Sequence, residues 1–280
     1  MRLGASSLAA GAVPAEGAGA LLGSGGAAAY IDCGRSVIAV TAAGVARMPN
    51  GVAVHAPALP RARAGAPVGF SRDEISYGGV VIDLRGAALW DPAVPVNDGF
   101  EPDAVAARGR DILHGVGVDS HGWAAGGLAA GLDALGRALA ERDADGAERA
   151  RGLLLGRGGG LTPEGDDLLA GAAAGLAAFA GAAGIGDDDG ARLRRALCSE
   201  NARDRTSSLS ATLLELAAAG RAAEPLGAVL DLGRGPARWR PALRALVGVG
   251  HSTGRAWAVG SGLAATMLVA HAPAREEIVT

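Results

Sequence analysis

The sequence predicts an α+β protein in which a β-rich region, residues 1–100, precedes a mostly helical region, residues 101–280. Two observations support this prediction. Short apolar runs separated by turn signals fill the first region, and leucines at helical spacing follow from about Glu101 onward. Hydrophobic residues make up 49% of the chain, which is ample for a large buried core.

The predicted strands are short and closely spaced. Turn signals such as Pro49-Asn50-Gly51 and Asp91-Pro92 separate them, and His55 ends one run, where we expect a structural role. Because a parallel crossover needs a dozen or more residues, this spacing favours an antiparallel sheet or a small barrel over βαβ units. The strand-like runs cover residues 30–32, 37–40, 52–55, 68–70 and 80–84.

Helical patterns fill the second region. Pro102 is expected to begin a helix, and leucines at 128, 132, 135 and 139 form one apolar stripe of the next. The apolar run at residues 168–186 is mostly Ala and Gly, follows two aspartates and ends in three more. This run therefore predicts a buried helix rather than a membrane span.

Composition excludes several classes of function. The chain contains no lysine, so it has neither a Walker-type phosphate loop nor a Schiff-base enzyme's amine. The net charge of −3 with no basic block argues against a nucleic-acid partner. Cys33 and Cys198 match no metal-ligand spacing and suit a reducing cytoplasm. We expect no metal and no cofactor.

The stretch LGRGGGLTPEGDDLLAG, residues 155–171, is the most informative part of the chain. Its glycines Gly158, Gly159 and Gly160 predict a sharp turn, and Thr162-Pro163 predicts a helix start with Thr162 as the N-cap. Free N–H groups at a helix start bind anions, above all phosphates. The sequence therefore predicts a ligand-binding loop here, with Gly165 leaving room for the ligand.

Two adjacent carboxylates, Asp166 and Asp167, follow in the first turn of that helix. They suit the helix dipole, which is the structural interpretation. They also repel a bare phosphate, so a functional interpretation needs a cation or a neutral, hydrogen-bonding substrate nearby. Because adjacent helical residues point about 100° apart, we expect one carboxylate to face the ligand and the other to bind backbone N–H groups or an arginine.

Two further loop-to-helix transitions contain polar residues. Arg205, Thr206 and Ser207 precede a leucine-rich helix and form either a second anion site or an ordinary helix cap. In the other, residues 250–254, glycines bracket His251, which we assign to acid–base work or substrate hydrogen bonding. The remaining predicted substrate contacts of that loop are Gly250, Ser252, Thr253 and Gly254.

The glycine loop with LTPEGDD, the Ser/Thr-rich helix start and the late GHSTG segment together resemble the AllH-like family, named for a subunit of bacterial oxamate carbamoyltransferase. The family typically has Pro where this chain has Gly159. It also reverses the order of Ser252 and Thr253 and has Ala-Asp where Arg255-Ala256 stand. The resemblance covers the C-terminal half of the chain.

The resemblance implies carbamoyl transfer between carbamoyl phosphate and oxamate, oxalurate or a related ureide, as in purine and allantoin catabolism. It also implies a cytoplasmic enzyme working with other subunits of one complex. His251, Asp166 and Asp167 are then the catalytic candidates. Two other interpretations are a noncatalytic scaffold subunit and a regulatory protein that binds an anion or another small molecule. The enzyme interpretation requires the loops at residues 156–167 and 250–255 to lie in one cleft.

Overall fold

The computed structural model describes residues 1–117, 127–198 and 202–270. All strands of these ranges precede the helices, which confirms the α+β prediction with a β-rich region first. The strands are β1 (Arg2–Ala9), β2 (Glu16–Ser24), β3 (Ala28–Asp32), β4 (Val37–Thr41), β5 (Gly51–Val54), β6 (Pro67–Ser71), β7 (Glu74–Tyr77), β8 (Val80–Asp83) and β9 (Ala88–Trp90).

Eight of these described strands close into a barrel, in the order β1-β5-β4-β3-β2-β6-β7-β8 and back to β1. The first half of β1 pairs with β8, and its second half pairs with β9, which lies outside the barrel circuit. Most neighbours are antiparallel, as the short spacing predicted, but β1–β8, β1–β9 and β4–β5 are parallel. Alternating apolar residues point inward and close the barrel interior with isoleucine and leucine.

The helices of the described residues follow in one C-terminal assembly. They are α1 (Pro102–Gly115), α2 (Ala129–Glu141), α3 (Ala144–Leu154), α4 (Glu164–Phe179), α5 (Asp187–Leu197), α6 (Ser208–Ala218), α7 (Glu224–Leu230), α8 (Pro236–Val247) and α9 (Thr253–Met267), with a 3-10 turn at Ala202–Asp204. The leucine stripe predicted around α2 faces the core, since Leu128, Leu135 and Leu139 are buried.

The alanine- and glycine-rich helices α4 and α9 pack against each other at the centre. A Cβ built on Gly171 lies 2.3 Å from the Trp257 carbonyl oxygen, and one built on Gly260 lies 2.1 Å from that of Leu168. Small residues therefore allow the two backbones to approach, as the buried-helix prediction required. No helix in the described ranges is long and apolar enough to cross a membrane.

The barrel and the helices share part of their core. Val37, Ala39 and Met48 belong to the helical cluster although they lie in or beside the barrel wall. The Val37 N–H donates to Thr212 Oγ1 of α6 at 3.1 Å. One face of β3 and β4 turns toward the helices. The starts of α4 and α9 lie beside that face.

Arg108 of α1 hydrogen-bonds to the end of α7 and to the segment that follows it. Its guanidinium is buried, lies 4.6 Å from the Trp239 ring centre and donates to the carbonyl oxygens of Val229, Asp231 and Arg234 at 2.6–3.0 Å. We expect Arg108→Met to lower the free energy of unfolding by about 3 kcal/mol, because one buried and two part-buried carbonyl acceptors lose their donor. Urea denaturation measures this change.

Arg110, which is exposed on the same helix, provides the matched control. Arg110→Met is expected to change the unfolding free energy by less than about 0.5 kcal/mol. Equal effects of the two substitutions would show that loss of the Arg108 hydrogen bonds is not the cause.

Candidate functional site

An open cavity of about 1440 Å³ lies between the outer barrel face and the starts of α4 and α9. Residues of β1, β3, β4 and β5 and the segment 42–48 form one wall. Residues 159–162, Glu164 and 248–253 form the facing part of the other wall. The volume exceeds that of a typical small-molecule pocket, and the walls mix apolar and polar groups as such pockets do.

The two glycine loops meet in this cavity. Thr162 Oγ1 and Thr253 Oγ1 lie 2.8 Å apart, within hydrogen-bond distance, although the residues are 91 positions apart in sequence. Both threonines line the cavity, together with Gly159, Gly160 and Gly250. The predicted convergence of the two loops is therefore confirmed.

The helix starts themselves are less available to an anion than predicted. The Gly165 N–H donates to the Arg157 carbonyl oxygen at 2.8 Å, and the Asp166 and Asp167 N–H groups donate to that of Pro163 at 3.0 and 3.2 Å. Pro163 holds the N-cap position of α4, where Thr162 was expected. The Thr162 side chain instead contacts Thr253, so a phosphate cradle at this helix start finds no support in the geometry.

Two further glycines serve packing rather than ligand access. A Cβ on Gly165 lies 2.0 Å from the Leu154 carbonyl oxygen, and one on Gly254 lies 1.7 Å from that of Leu246. Neither glycine lines the cavity, and Gly158, with φ of +117°, turns its backbone against Glu164. The room that we expected beside Gly165 is filled by the end of α3.

Asp166 supports the glycine loop from behind. It is buried, and its Oδ1 accepts the Gly156 N–H at 2.6 Å, while its Oδ2 accepts the Thr206 hydroxyl. Burial raises the pKa of the Asp166 carboxyl, and these hydrogen bonds oppose the rise. This contact with a backbone N–H matches the structural role expected for one of the two aspartates.

Asp167 lies directly behind the threonine pair. Its side chain is buried, and it does not line the cavity, contrary to the expectation that one aspartate faces the ligand. The Thr162 and Thr253 hydroxyls act to lower the pKa of this carboxyl group, and among the described residues its Oδ2 accepts no hydrogen bond. Burial raises the pKa of the Asp167 carboxyl to about 8, against the opposing threonine hydrogen bonds.

The segment of Arg205, Thr206 and Ser207 lies outside the cavity lining. Ser207 caps α6 by accepting the Ser210 N–H at 3.0 Å, and its hydroxyl donates to the Leu161 carbonyl oxygen. Arg205 is exposed and reaches the Gly152 carbonyl oxygen at 3.4 Å. These residues brace the glycine loop, so the helix-cap interpretation describes them better than a second anion site.

The late loop supplies the polar groups expected of it. His251 and Ser252 line the cavity, and His251 is exposed to solvent. Ser252 holds the N-cap position of α9 but makes no side-chain capping bond. His251 is thus accessible to a substrate, while the neighbouring Gly254 is required for the approach of α9 to α8.

The barrel wall contributes residues that sequence reasoning missed. Tyr30 on β3 and Thr41 on β4 line the cavity, and the buried Thr41 hydroxyl has no partner. Arg47 lines it as well, with its Nε 3.3 Å from Glu224 Oε2. The exposed His55, for which we expected a structural role, also lines the cavity. The strand pattern places Tyr30 and Thr41 on one face, but nothing in the sequence shows which helices cover that face.

Charge in the cavity is mixed. The ionisable side chains of the described lining, apart from Tyr30, are Arg47, His55, Glu164, Glu224 and His251. Within the described ranges, no group of three or more His, Cys, Asp or Glu residues is placed to hold a metal ion. The wall therefore offers a ligand apolar contacts as well as hydrogen bonds.

Fold and site together define a small closed barrel joined to a helical assembly, with an open cavity of mixed apolar and polar lining at the junction. Residues 154–265 match the model of the family described as oxamate carbamoyltransferase subunit AllH. The match spans both loops that meet in the cavity and leaves out the barrel. Neither a curated protein nor a solved structure matches the chain.

Proposed function

We propose that this chain is a subunit of an oxamate carbamoyltransferase-like enzyme. The reaction transfers a carbamoyl group between carbamoyl phosphate and oxamate, or breaks down oxalurate or a related ureide in reverse. One observation supports this proposal above the others. The family match contains both glycine loops, and those loops converge on a cavity through the Thr162–Thr253 contact.

In the breakdown direction, a phosphate oxygen attacks the carbamoyl carbon of oxalurate. The bond from that carbon to the oxamate nitrogen breaks, and the nitrogen takes a proton. Carbamoyl phosphate and oxamate leave. The protein must polarise the carbamoyl oxygen, supply the proton and hold the phosphate.

The cavity offers groups for the first two tasks. One hydroxyl of the Thr162–Thr253 pair donates to the carbonyl oxygen, and His251, which lines the same cavity, exchanges a proton with the nitrogen. Asp166 and Asp167 act from behind the wall, because neither contacts the cavity directly. We assign them supporting roles instead of direct contact with substrate.

Binding of the phosphate requires positive charge, and the described wall contains few cationic side chains. Arg47 is the arginine of the described lining, and Glu224 already pairs with it. We therefore propose that other subunits of the same complex contribute cationic groups to the phosphate site. This division also accounts for a cavity that is open and larger than a small ureide requires.

The test is to purify the chain with the products of its genomic neighbours and to incubate the complex with oxalurate. We expect oxalurate to disappear only when phosphate is present, with oxamate and carbamoyl phosphate formed in equal amounts by 13C NMR. Phosphate-independent loss, or no loss with oxalurate and related ureides, would contradict the proposal.

Substitution of Thr253 links that activity to the cavity. Thr253→Val removes the hydroxyl and keeps the shape, so we expect kcat/KM to fall at least about tenfold, or about 1.4 kcal/mol of transition-state stabilisation. Thr266→Val is the matched control on the same helix, because its hydroxyl bonds to the Gly262 and Leu263 carbonyl oxygens of its own helix. Equal losses in both variants would point to the helix and not to the cavity.

A noncatalytic scaffold remains the second candidate, and one observation favours it. Gly165, Gly171, Gly254 and Gly260 are all explained by close backbone packing without any ligand. In that case the complex should assemble and keep full activity when Thr162 and Thr253 are both replaced by valine. A regulatory ligand would instead change the activity of the partner subunits when it binds.

A further inference from the structure

A carboxyl group without a charged partner lies behind the cavity wall. Asp167 is 2% exposed, and its Oδ2 has no hydrogen-bond partner among the residues that the structure describes. Burying an ionised carboxylate without a compensating partner is costly. The geometry therefore needs either a cation or a bound proton at Asp167.

The described residues that act on Asp167 most strongly are acidic or neutral. Asp166 and Glu164 lie on its own helix, and both act to raise its pKa. Tyr30 faces it from the barrel, and neutral Thr253 faces it from α9. Among the described residues, no arginine forms an ion pair with Asp166 or Asp167.

The two neighbouring aspartates differ in what stabilises a charge. Asp166 accepts a backbone N–H and a hydroxyl, one at each oxygen, whereas one oxygen of Asp167 accepts nothing. Two adjacent buried carboxylates do not both ionise without cost, so the proton goes to the less well solvated one. A pKa of about 8 for the Asp167 carboxyl agrees with this assignment.

The proton on Asp167 decides what the threonine pair presents to the cavity. One hydroxyl proton lies between Thr162 Oγ1 and Thr253 Oγ1, which are 2.8 Å apart. If Asp167 is neutral, its O–H donates to one threonine oxygen. That threonine donates to the other, whose hydroxyl proton is then free to donate to a ligand in the cavity. If Asp167 is ionised, the carboxylate draws a hydroxyl proton inward, and the cavity meets only oxygen lone pairs.

We propose that Asp167 is a positioning residue that, in its neutral form, makes the Thr162–Thr253 pair a hydrogen-bond donor to a carbonyl oxygen in the cavity. The ligand class is a carboxamide or carbamoyl compound. This inference rests on the proposed function and adds the group that polarises the carbonyl. A donor chain fixed before the reaction stabilises charge that develops on that oxygen.

The opposite wall fits the same ligand class. Tyr30 pairs with Ala39 across β3 and β4, and Thr41 lies two residues beyond Ala39, so their side chains share one sheet face. Both residues line the cavity, and the Thr41 hydroxyl is unpartnered. Neutral hydroxyls on two facing walls suit the neutral N–H and C=O groups of an amide.

The test is to titrate the full chain with oxamate by calorimetry between pH 7 and 9.5. We expect the affinity to fall about tenfold per pH unit above pH 8, because only the neutral form of Asp167 binds and its population falls by that factor. Asp167→Asn retains a donor that cannot ionise. This variant should bind about threefold more weakly than the unmodified chain at pH 7 and lose the alkaline decline.

Two more variants complete the test. Asp167→Leu removes the donor and should weaken oxamate binding at least about tenfold at pH 7. Thr266→Val should keep the pH profile of the unmodified chain. Absence of oxamate binding, a flat profile in the unmodified chain, or an alkaline decline that persists in Asp167→Asn would each overturn the inference.

The proposed function and this inference fail in different ways. Asp167-dependent oxamate binding in a complex that does not transfer carbamoyl groups removes the proposed function and leaves the positioning role intact. Phosphate-dependent oxalurate breakdown, combined with an unchanged pH profile in Asp167→Asn, removes the positioning role alone.

Discussion

Gly165→Ala is expected to lower the free energy of unfolding by about 3 kcal/mol or more, although alanine is the better helix former. A Cβ at this position lies 2.0 Å from the Leu154 carbonyl oxygen and 3.2 Å from that of Arg157. Both obstacles are backbone atoms, which cannot rotate away as a side chain does. Relief requires α3 and α4 to separate, and that separation also disturbs the loop between them.

Gly152→Ala is the matched control for this prediction. Gly152 lies in α3, and nothing stands within 4 Å of a Cβ built on it. Here alanine should stabilise the chain by up to about 1 kcal/mol, because the helix preference acts alone. Thermal unfolding of both variants measures the contrast, and a stabilised Gly165→Ala would show that the motif glycine serves something other than packing.

The order of the fold was predictable because periodicity reports burial along the chain. Leucines around α2 and short apolar runs such as residues 37–40 reveal helix and strand directly. Strands β1, β2, β7 and β9 escaped prediction, the first two because residues 1–24 are rich in Ala, Gly and Ser, which carry little strand signal. Closure through the β1–β5 and β1–β8 pairs depends on contacts between distant strands, which local patterns do not encode.

The site was predictable only where motifs carried it. The meeting of Thr162 and Thr253 followed from the expectation that two glycine loops converge, but their direct contact did not. We assigned Arg205 and Gly165 to substrate binding, but neither residue lines the cavity. A sequence shows a residue's type and not the direction in which its side chain points. Tyr30 and Thr41 reach the cavity through the docking of the barrel on the helices, so no local pattern marked them.

The Asp167→Asn variant is expected to be more stable than the unmodified chain above neutral pH. The folded-state pKa of the Asp167 carboxyl is about 8, above its ordinary 3.8, so the folded chain holds a proton that the unfolded chain has released. Stability therefore falls as pH rises from about 4 to 8. Asparagine carries no such proton and does not share this loss.

The size of the effect follows from the pKa shift. Each pKa unit corresponds to about 1.4 kcal/mol, so the gain above pH 8 is on the order of several kcal/mol. For a chain of this size, that gain should raise Tm by about 5 °C or more at pH 8.5. The Tm difference between variant and unmodified chain should shrink toward zero as the pH approaches 4.

Asp143 provides a control of opposite sign. It caps α3 by accepting the Asp145 N–H at 3.0 Å and pairs with Arg149. Hydrogen bonds from backbone N–H groups lead the causes that hold its pKa below the ordinary value. Asp143→Asn should therefore destabilise the chain at neutral pH, with the difference disappearing as acid protonates the native carboxylate.

The two aspartate variants together distinguish a functional carboxyl from a structural one. A carboxyl retained at a cost to stability, behind a wall that contacts ligand, is the pattern expected where function and not folding keeps the residue. If Asp167→Asn instead lowered Tm at pH 8.5, Asp167 would be ionised and stabilised in the folded chain. The Asp167 carboxyl would then have no O–H to donate to the Thr162–Thr253 pair.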